Sequence, residues 1–279
     1  MSTGQLPVWL PRESQSTPLL AFVARGQCRD RWEDCDVADA AFEHPRLTAI
    51  YDALESDRSD LEVYADLVNE LGARSVLDIG CGTGTFAVLL AGRGLAVAAV
   101  DPAAGMLDVA RAKPGAEQVR WIHGTAATLP AMQVDLAVMT GNVAQAIVDP
   151  EDWVASLRGA HEVLRPGGHL VLETRDPARR QWEQWQRDPS WSTTVLPGVG
   201  AVETWYDLVD VRGPLVTFRA TYVFDCDDSV LTSESTLRFR GRQEVQAQLE
   251  EHGYVVADVR DAPDRPGLEH VFIAQRVSR

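Results

Sequence analysis

The stretch Val76-Leu77-Asp78-Ile79-Gly80-Cys81-Gly82-Thr83-Gly84 decides the fold of this 279-residue chain. An apolar strand runs into a turn with glycine at alternate positions, and a helix over Thr85–Arg93 starts immediately after. Glycine lets the backbone come close to a ligand, and the free N–H groups of a helix start suit a carboxylate or a phosphate. The next strand is closed by Asp101, 21 positions beyond Gly80. In a doubly wound sheet this acid stands beside the loop, where it accepts hydrogen bonds from both hydroxyls of a ribose. A dinucleotide loop asks for G-x-G-x-x-G. Here the spacing is G-x-G-x-G, and Asp78 sits two positions before the first glycine. That carboxylate repels a pyrophosphate and suits an ammonium group. Asp78 and Asp101 together point to a cationic nucleoside that carries an amino acid.

Outward from the loop, short apolar strands alternate with helices. Strands are expected at Ser75–Ile79, Ala96–Val100, Val119–Ile122, Asp135–Met139 and His169–Glu173, and further helices at Ala103–Ala112 and Pro150–Leu164. Continuously apolar strands between helices imply a parallel sheet covered on both faces. Arg165-Pro166-Gly167-Gly168 marks a helix stop and turn before the fifth strand. Upstream, Leu47, Ile50, Tyr51 and Leu54, and then Leu61, Tyr64, Leu67, Val68 and Leu71, trace a helical stripe. Residues 1–30 read as a tail with a short helix at Leu19–Ala24. Downstream, a Trp- and Arg-rich helical stretch, Pro177–Arg187, precedes three alternating segments, Val202–Val211, Leu215–Phe224 and Val230–Arg240, which read as an antiparallel meander. A helix at Arg242–His252 and strands at Tyr254–Val259 and His270–Gln275 close the chain. The expected organisation is a tail and helical cap (1–72), an α/β core (73–175), an insertion (176–240) and a segment that completes the core (241–279).

Residues 74–175 resemble the class I methyltransferases that use S-adenosylmethionine (SAM), and in particular their small-molecule branch. The matching stretches are VLDIGCGTG at 76–84, VDPAAGML at 100–107, HGTAATLP at 123–130, VDLAVMTGNVAQ at 134–145 and VLRPGGHLVLET at 163–174. The resemblance implies an α/β fold with a doubly wound, seven-stranded, mostly parallel sheet whose last strand is antiparallel. An N-terminal helical lid and the β-meander insertion add to it. SAM is the implied cofactor and a small molecule the implied methyl acceptor. Gly80, Cys81 and Gly82 would contact the methionine portion through backbone atoms, with Asp78 near its ammonium and Gly84 completing the cofactor loop. Asp101 would hold the ribose, and Pro102 and Met106 would pack beside the nucleoside. Thr125 stands where family members commonly carry Asp, so the adenine contact falls to the Thr125 hydroxyl or the Ala126 backbone. Thr140, Gly141 and Asn142 follow the fourth strand, where donor meets acceptor. Tyr51 is read either as a group that reaches the methionine carboxylate or as core.

Catalytic candidates are Asn142 and His44, for which a polar turn residue and a helix cap are the plain alternatives. His123, at the end of the third strand, reads as part of the cofactor rim. Trp182, Trp185, Trp191, Trp205 and Tyr206 lie in a region over the carboxyl ends of the strands, where open α/β sheets bind ligands. Alternation puts Trp205, Asp207 and Val209 on one face of the meander and Tyr206 and Leu208 on the other. One face thus lines an acceptor site, or the meander forms a homodimer surface. Two rival functions share these motifs. A nicotinamide-dependent oxidoreductase keeps the sheet and ribose acid but needs the third-glycine spacing, and a non-catalytic SAM-binding regulator would carry the same cofactor residues.

With 26 basic against 41 acidic residues, the formal charge is -15. A field of that sign repels phosphate backbones and no basic stripe offsets it, so a nucleic-acid partner is not expected. Cys28, Cys35, Cys81 and Cys226 show no C-x-x-C spacing, so no metal site is expected. The longest apolar runs, Pro18–Ala24 and Leu95–Val100, are far short of the ~20 residues of a membrane span, and no signal core precedes them. A cytoplasmic protein is the expectation. The sole lysine, Lys113, reads as codon bias.

Overall fold

Both sides of the glycine loop's strand are buried, because alternate residues feed two cores. Leu77 and Ile79 join one cluster and Val76 joins the other, as a parallel sheet covered by helices on both faces requires. The computed structural model describes residues 39–55, 58–262 and 265–277. The tail, its short helix at Leu19–Ala24, Cys28 and Cys35 lie outside the described residues.

The described chain opens with α1 (Ala40–Glu43), α2 (Pro45–Leu54) and α3 (Asp60–Glu70). The alternating core follows as β1 (Ser75–Ile79), α4 (Thr85–Gly92), β2 (Ala96–Asp101), α5 (Ala104–Ala112), β3 (Val119–His123), β4 (Val134–Met139), α6 (Val143–Ala146), α7 (Pro150–Val163) and β5 (Leu164–Arg175). After it come α8 (Arg187–Ser190), β6 (Ser192–Leu196), β7 (Gly200–Arg212), β8 (Leu215–Phe224) and β9 (Ser229–Arg238). The chain closes with α9 (Arg242–Glu251), β10 (Tyr254–Asp261) and β11 (Glu269–Arg276). The main sheet has seven strands in the order β10-β11-β5-β4-β1-β2-β3, and β11 runs antiparallel to both of its neighbours. This is the doubly wound sheet with an antiparallel last strand that the motifs imply. The order reverses between β1 and β4, which sets the crevice of the fold beyond their carboxyl ends. Helices α3 and α4 cover one face, and α7 and α9 cover the other with Trp153, Leu157, Val245 and Leu249.

Three details differ from the sequence reading. The fifth strand starts early, at Leu164. The β4–β5 ladder pairs Val134 with Leu164 and then Leu136 with His169, so Arg165–Gly168 bulges out as the expected turn and the strand resumes after it. Pro177–Arg187 is not one helix. It forms two 3-10 turns, Pro177–Arg179 and Gln181–Gln184, split by Arg180 at φ 47. Trp182 and Trp185 then lie three residues apart, and both rings pack on Phe239, at 4.6 and 6.1 Å. The tighter turn aligns positions i and i+3 and so serves that packing.

The meander has four strands instead of three, forming a separate antiparallel sheet in the order β6-β7-β8-β9. The added strand, Ser-Thr-Thr-Val-Leu, is a mostly exposed edge and lacks an apolar alternation that sequence could reveal. Its neighbours place Val202, Thr204, Tyr206 and Leu208 opposite Phe224, Tyr222, Ala220 and Phe218. This inner face packs on Leu47 and Ile50 of α2 at one end and on Trp182 and Trp185 at the other. Trp205 is on the outer face, where it donates to Asp207 at 3.0 Å and lies under the Arg187 guanidinium.

Candidate active site

The loop from Gly80 to Gly84 is held open by backbone geometry. Gly80 and Cys81 donate to the Val100 carbonyl at 2.8 and 3.2 Å, which fastens the end of β1 to β2. Gly82 and Gly84 take φ of 53 and 71, the left-handed region that only glycine enters without strain. A methyl group on Gly84 would stand 2.3 Å from the Trp121 ring, whereas one on Gly82 would meet nothing within 4 Å. The loop therefore packs at Gly84 and presents an open cradle at Gly82.

Asp101 shapes that cradle. Its two oxygens accept from the Gly82 and Ala103 N–H groups, each at 2.8 Å. Every carboxylate oxygen has a second lone pair, so two acceptor positions remain. Burial raises the Asp101 pKa, and the two N–H donors work against that rise. Asp78 is 2% exposed and has no side-chain hydrogen bond among the described residues. Burial, and next the repulsion of Asp101, push it up to about 7, while Arg58 lowers it. A buried carboxyl with no donor is neutralised either by a proton or by a cation brought to it. Burial and the same two acids push the Cys81 thiol up, so this sulfur is no thiolate nucleophile at neutral pH.

Asn142 follows β4 at φ 62, after Gly141 at φ 67. Its backbone N–H donates to Glu173 at 2.9 Å, and its amide nitrogen lies 3.4 Å from both Glu269 oxygens. Its Oδ1 is buried and has no hydrogen-bond partner among the described residues. Glu173 also accepts from the Tyr64 hydroxyl, and Glu269 pairs with Arg265 and Arg175 at 2.7 and 3.4 Å. The turn is backed by α6, whose closing carbonyls, Ala144 and Ile147, each accept from the buried Arg240 guanidinium at 2.7 Å.

Helix α1 lies against the start of α5, and α2 against α5 and the loop. Glu43 accepts from the Ala104 and Gly105 N–H groups at 2.8 and 3.0 Å, a carboxylate on the N-terminus of α5. A side chain on Gly105 would stand 2.9 Å from the Phe42 carbonyl, so glycine is what admits α1 there. Asp52 accepts from the Thr83 hydroxyl at 2.5 Å and pairs with Lys113 at 2.6 Å. Lys113 also donates to Thr85 at 2.6 Å. The lone lysine therefore ties α2 to the start of α4, just beyond the loop.

The same helices hold the second sheet. Ala41 donates to Ser233 at 2.8 Å, Ser235 donates to Asp39, and Arg46 pairs with Asp227 at 2.9 Å with its guanidinium 3.6 Å from the Phe224 ring centre.

The remaining candidates divide. The His44 ring caps α2, accepting from the Arg46 N–H at 3.2 Å. His123 contacts the Pro102 carbonyl at 2.8 Å beside Asp101. Met106 is buried within α5, Thr125 is exposed in a capping box with Thr128, and Ala126 is buried beneath it. Thr140 is half-buried. Tyr51 lies on α2 near Arg58, the residue that also faces Asp78. Sequence reasoning missed Glu43, Asp52, Gly105, Glu173 and Glu269. Gly105, Glu173 and the alanine pair before Gly105 lie inside quoted motifs, but nothing in their spacing names the partner.

Residues 76–168 match a family described as methyltransferase domain. The cypemycin N-terminal methyltransferase of Streptomyces sp. is 36% identical over 112 residues, 40% of this chain and 46% of that protein. The sugar N-methyltransferase KedS8 from Streptoalloteichus sp. has the same fold, with a TM-score of 0.69 at 18% identity over 91% of this chain and 98% of that one. So does SAM-bound CalS10, an amino pentose methyltransferase from Micromonospora echinaspora, with a TM-score of 0.64 at 20% identity over 82% and 97%. The match spans about half the length of the first curated relatives. Residues 76–168 thus match a methyltransferase domain, and the seven-stranded sheet around them has the fold of the solved methyltransferases just named.

Proposed function

We propose that this chain transfers a methyl group from SAM to a small-molecule acceptor. The observation that carries the reading is the pair of buried carboxylates on either side of the open Gly82 backbone, Asp78 without a hydrogen-bond donor and Asp101 with acceptor positions to spare. The pair fits an ammonium and a ribose. In this reading Asp78 neutralises the ammonium, Asp101 accepts from the ribose hydroxyls, and the backbone of Gly80, Cys81 and Gly82 lines the methionine portion. Pro102 and His123 flank the nucleoside, Thr125 and Ala126 lie toward the adenine, and Tyr51 stands over the methionine end. When bound, SAM supplies an electrophilic methyl carbon on a sulfonium that is already a good leaving group.

The chain's own task is to hold the acceptor in line and exclude water, a contribution that reaches about 7–11 kcal/mol in well-oriented systems. Thr140, Gly141 and Asn142 are the residues at the end of β4 given to that task. His44 is assigned no role beyond its cap. Calorimetric titration with SAM, S-adenosylhomocysteine and NADH tests the reading. Micromolar binding of the first two and none of the third is expected, and tighter binding of the dinucleotide overturns it. The relatives' named substrates, a sugar and an amino pentose, support a polar small molecule as acceptor.

A further inference from the structure

The inner face of the second sheet is covered at both ends and open between them. Leu47 and Ile50 of α2 close one end over Val202 and Phe224, and Trp182 and Trp185 close the other over Val216 and Leu208. The register sets Tyr206 opposite Ala220 and Thr204 opposite Tyr222, so the two tyrosines stand on that face in the interval between the covers. Tyr206 is 39% exposed. Leu54 of α2 packs in one cluster with Tyr222, and Tyr51 and the exposed Glu55 lie within a turn of it at the end of that helix. All three phenols interact electrostatically with the Glu55 carboxylate, and Tyr222 interacts with both of the others. Their hydroxyls make no hydrogen bond among the described residues.

The charges around this recess are unevenly matched. Arg175, at the end of β5, lies beside Tyr206, but its guanidinium is engaged by Glu269 at 3.4 Å, by Gln145 at 3.3 Å and by the Trp185 ring at 5.7 Å. Arg58 is paired with Asp60 at 3.3 Å. Glu55 has no ion-pair partner among the described residues. Desolvation raises the three phenols above their ordinary range, at Tyr206 through its hydroxyl end while the residue stays 39% exposed, so they offer neutral ring faces and hydroxyls. An exposed carboxylate without an ion-pair partner among the described residues, in the field of three phenols, is an arrangement that attracts an organic ammonium through cation–π and ion-pair contacts. The formal charge of -15 works in the same direction.

We propose that Tyr51, Tyr206, Tyr222 and Glu55 form the acceptor recess and that it takes a small molecule carrying a basic nitrogen. This rests on the methyltransferase reading and narrows its acceptor to amine-bearing compounds. The test uses the full chain saturated with S-adenosylhomocysteine and three probes of similar size: benzyltrimethylammonium, benzyl alcohol and toluenesulfonate. Binding is followed by tryptophan fluorescence and calorimetry. The cation is expected to bind at least tenfold more tightly than either comparator. Glu55→Gln and Tyr206→Ala should each weaken it at least fivefold, whereas Tyr206→Phe, which keeps the ring, should stay within twofold. S-adenosylhomocysteine affinity should be the same in all three variants. Equal binding of the three probes, or a Glu55→Gln protein that binds the cation like the wild type, overturns the recess. Failure of the wild type to bind S-adenosylhomocysteine would instead overturn the donor-site reading beneath it.

Discussion

The Asp52 carboxylate on α2 accepts from the Thr83 hydroxyl of the glycine loop at 2.5 Å and pairs with Lys113 at 2.6 Å. One side chain thus joins the N-terminal helices to the loop and to the end of α5. The pair is partly exposed, so its net stabilisation is at most about 1 kcal/mol. Asp52→Ala should therefore leave thermal stability nearly unchanged while it loosens the docking of α2. Hydrogen exchange over residues 40–54 is expected to slow when SAM binds the wild type, and to be faster and less responsive in the variant. Exchange that ignores both SAM and the substitution would show that α2 is no lid.

Asp101 holds two loop N–H groups and is the proposed ribose acceptor. Hydrogen bonds to a charged group contribute about 1.5–3 kcal/mol each. Asp101→Ala should weaken SAM binding at least tenfold, measured by calorimetry, in a protein whose circular dichroism is unchanged. Unaltered affinity in the folded variant would place the ribose elsewhere.

Asp78 makes donor binding depend on pH. Its carboxyl is raised to about 7 in the free protein. Between an unfolded-state value near 4 and that value the folded state holds the extra proton, so this group's contribution to stability falls as pH rises through that window. An ammonium ligand favours the ionised form. SAM affinity should accordingly rise from pH 5.5 to about 7 and level off, until an α-amino group itself deprotonates near ~8. Asp78→Asn should bind weakly and lose the acidic limb. A wild-type affinity that is flat over pH 5.5–7 would refute the coupling.

Gly84 and Gly82 should respond differently to alanine. Gly84→Ala drives a methyl into the Trp121 ring and should lower the melting temperature by several degrees, in line with the ~1–3 kcal/mol of an overpacked site plus backbone strain. Gly82→Ala has room for the methyl and should lose only the strain, on the order of 1–3 kcal/mol. Its added Cβ projects into the proposed cradle, so its loss of SAM affinity should exceed that of Gly84→Ala among folded molecules. The reverse order would contradict the cradle.

The core strands were legible because each is a short apolar run that feeds two buried clusters, and Asp101 because β2 ends where the loop begins. Local periodicity carried less of the second sheet. β6 shows four of its five residues to solvent or half so, and the 3-10 turns around Trp182 answer to Phe239, 57 positions away in the chain. The contacts of Asp52 with Thr83 and of Asn142 with Glu269 span 31 and 127 positions. A polar residue announces that it needs a partner, but its sequence neighbours do not say which one.

Helices α1 and α2 grip the start of α5 through Glu43, the glycine loop through Asp52, and the second sheet through Asp39, Ala41 and Arg46. A segment fastened on both sides makes its two occupants share one free energy. Whatever the donor contributes toward settling these helices is a cost the acceptor no longer meets, and by linkage the acceptor returns the same factor to the donor.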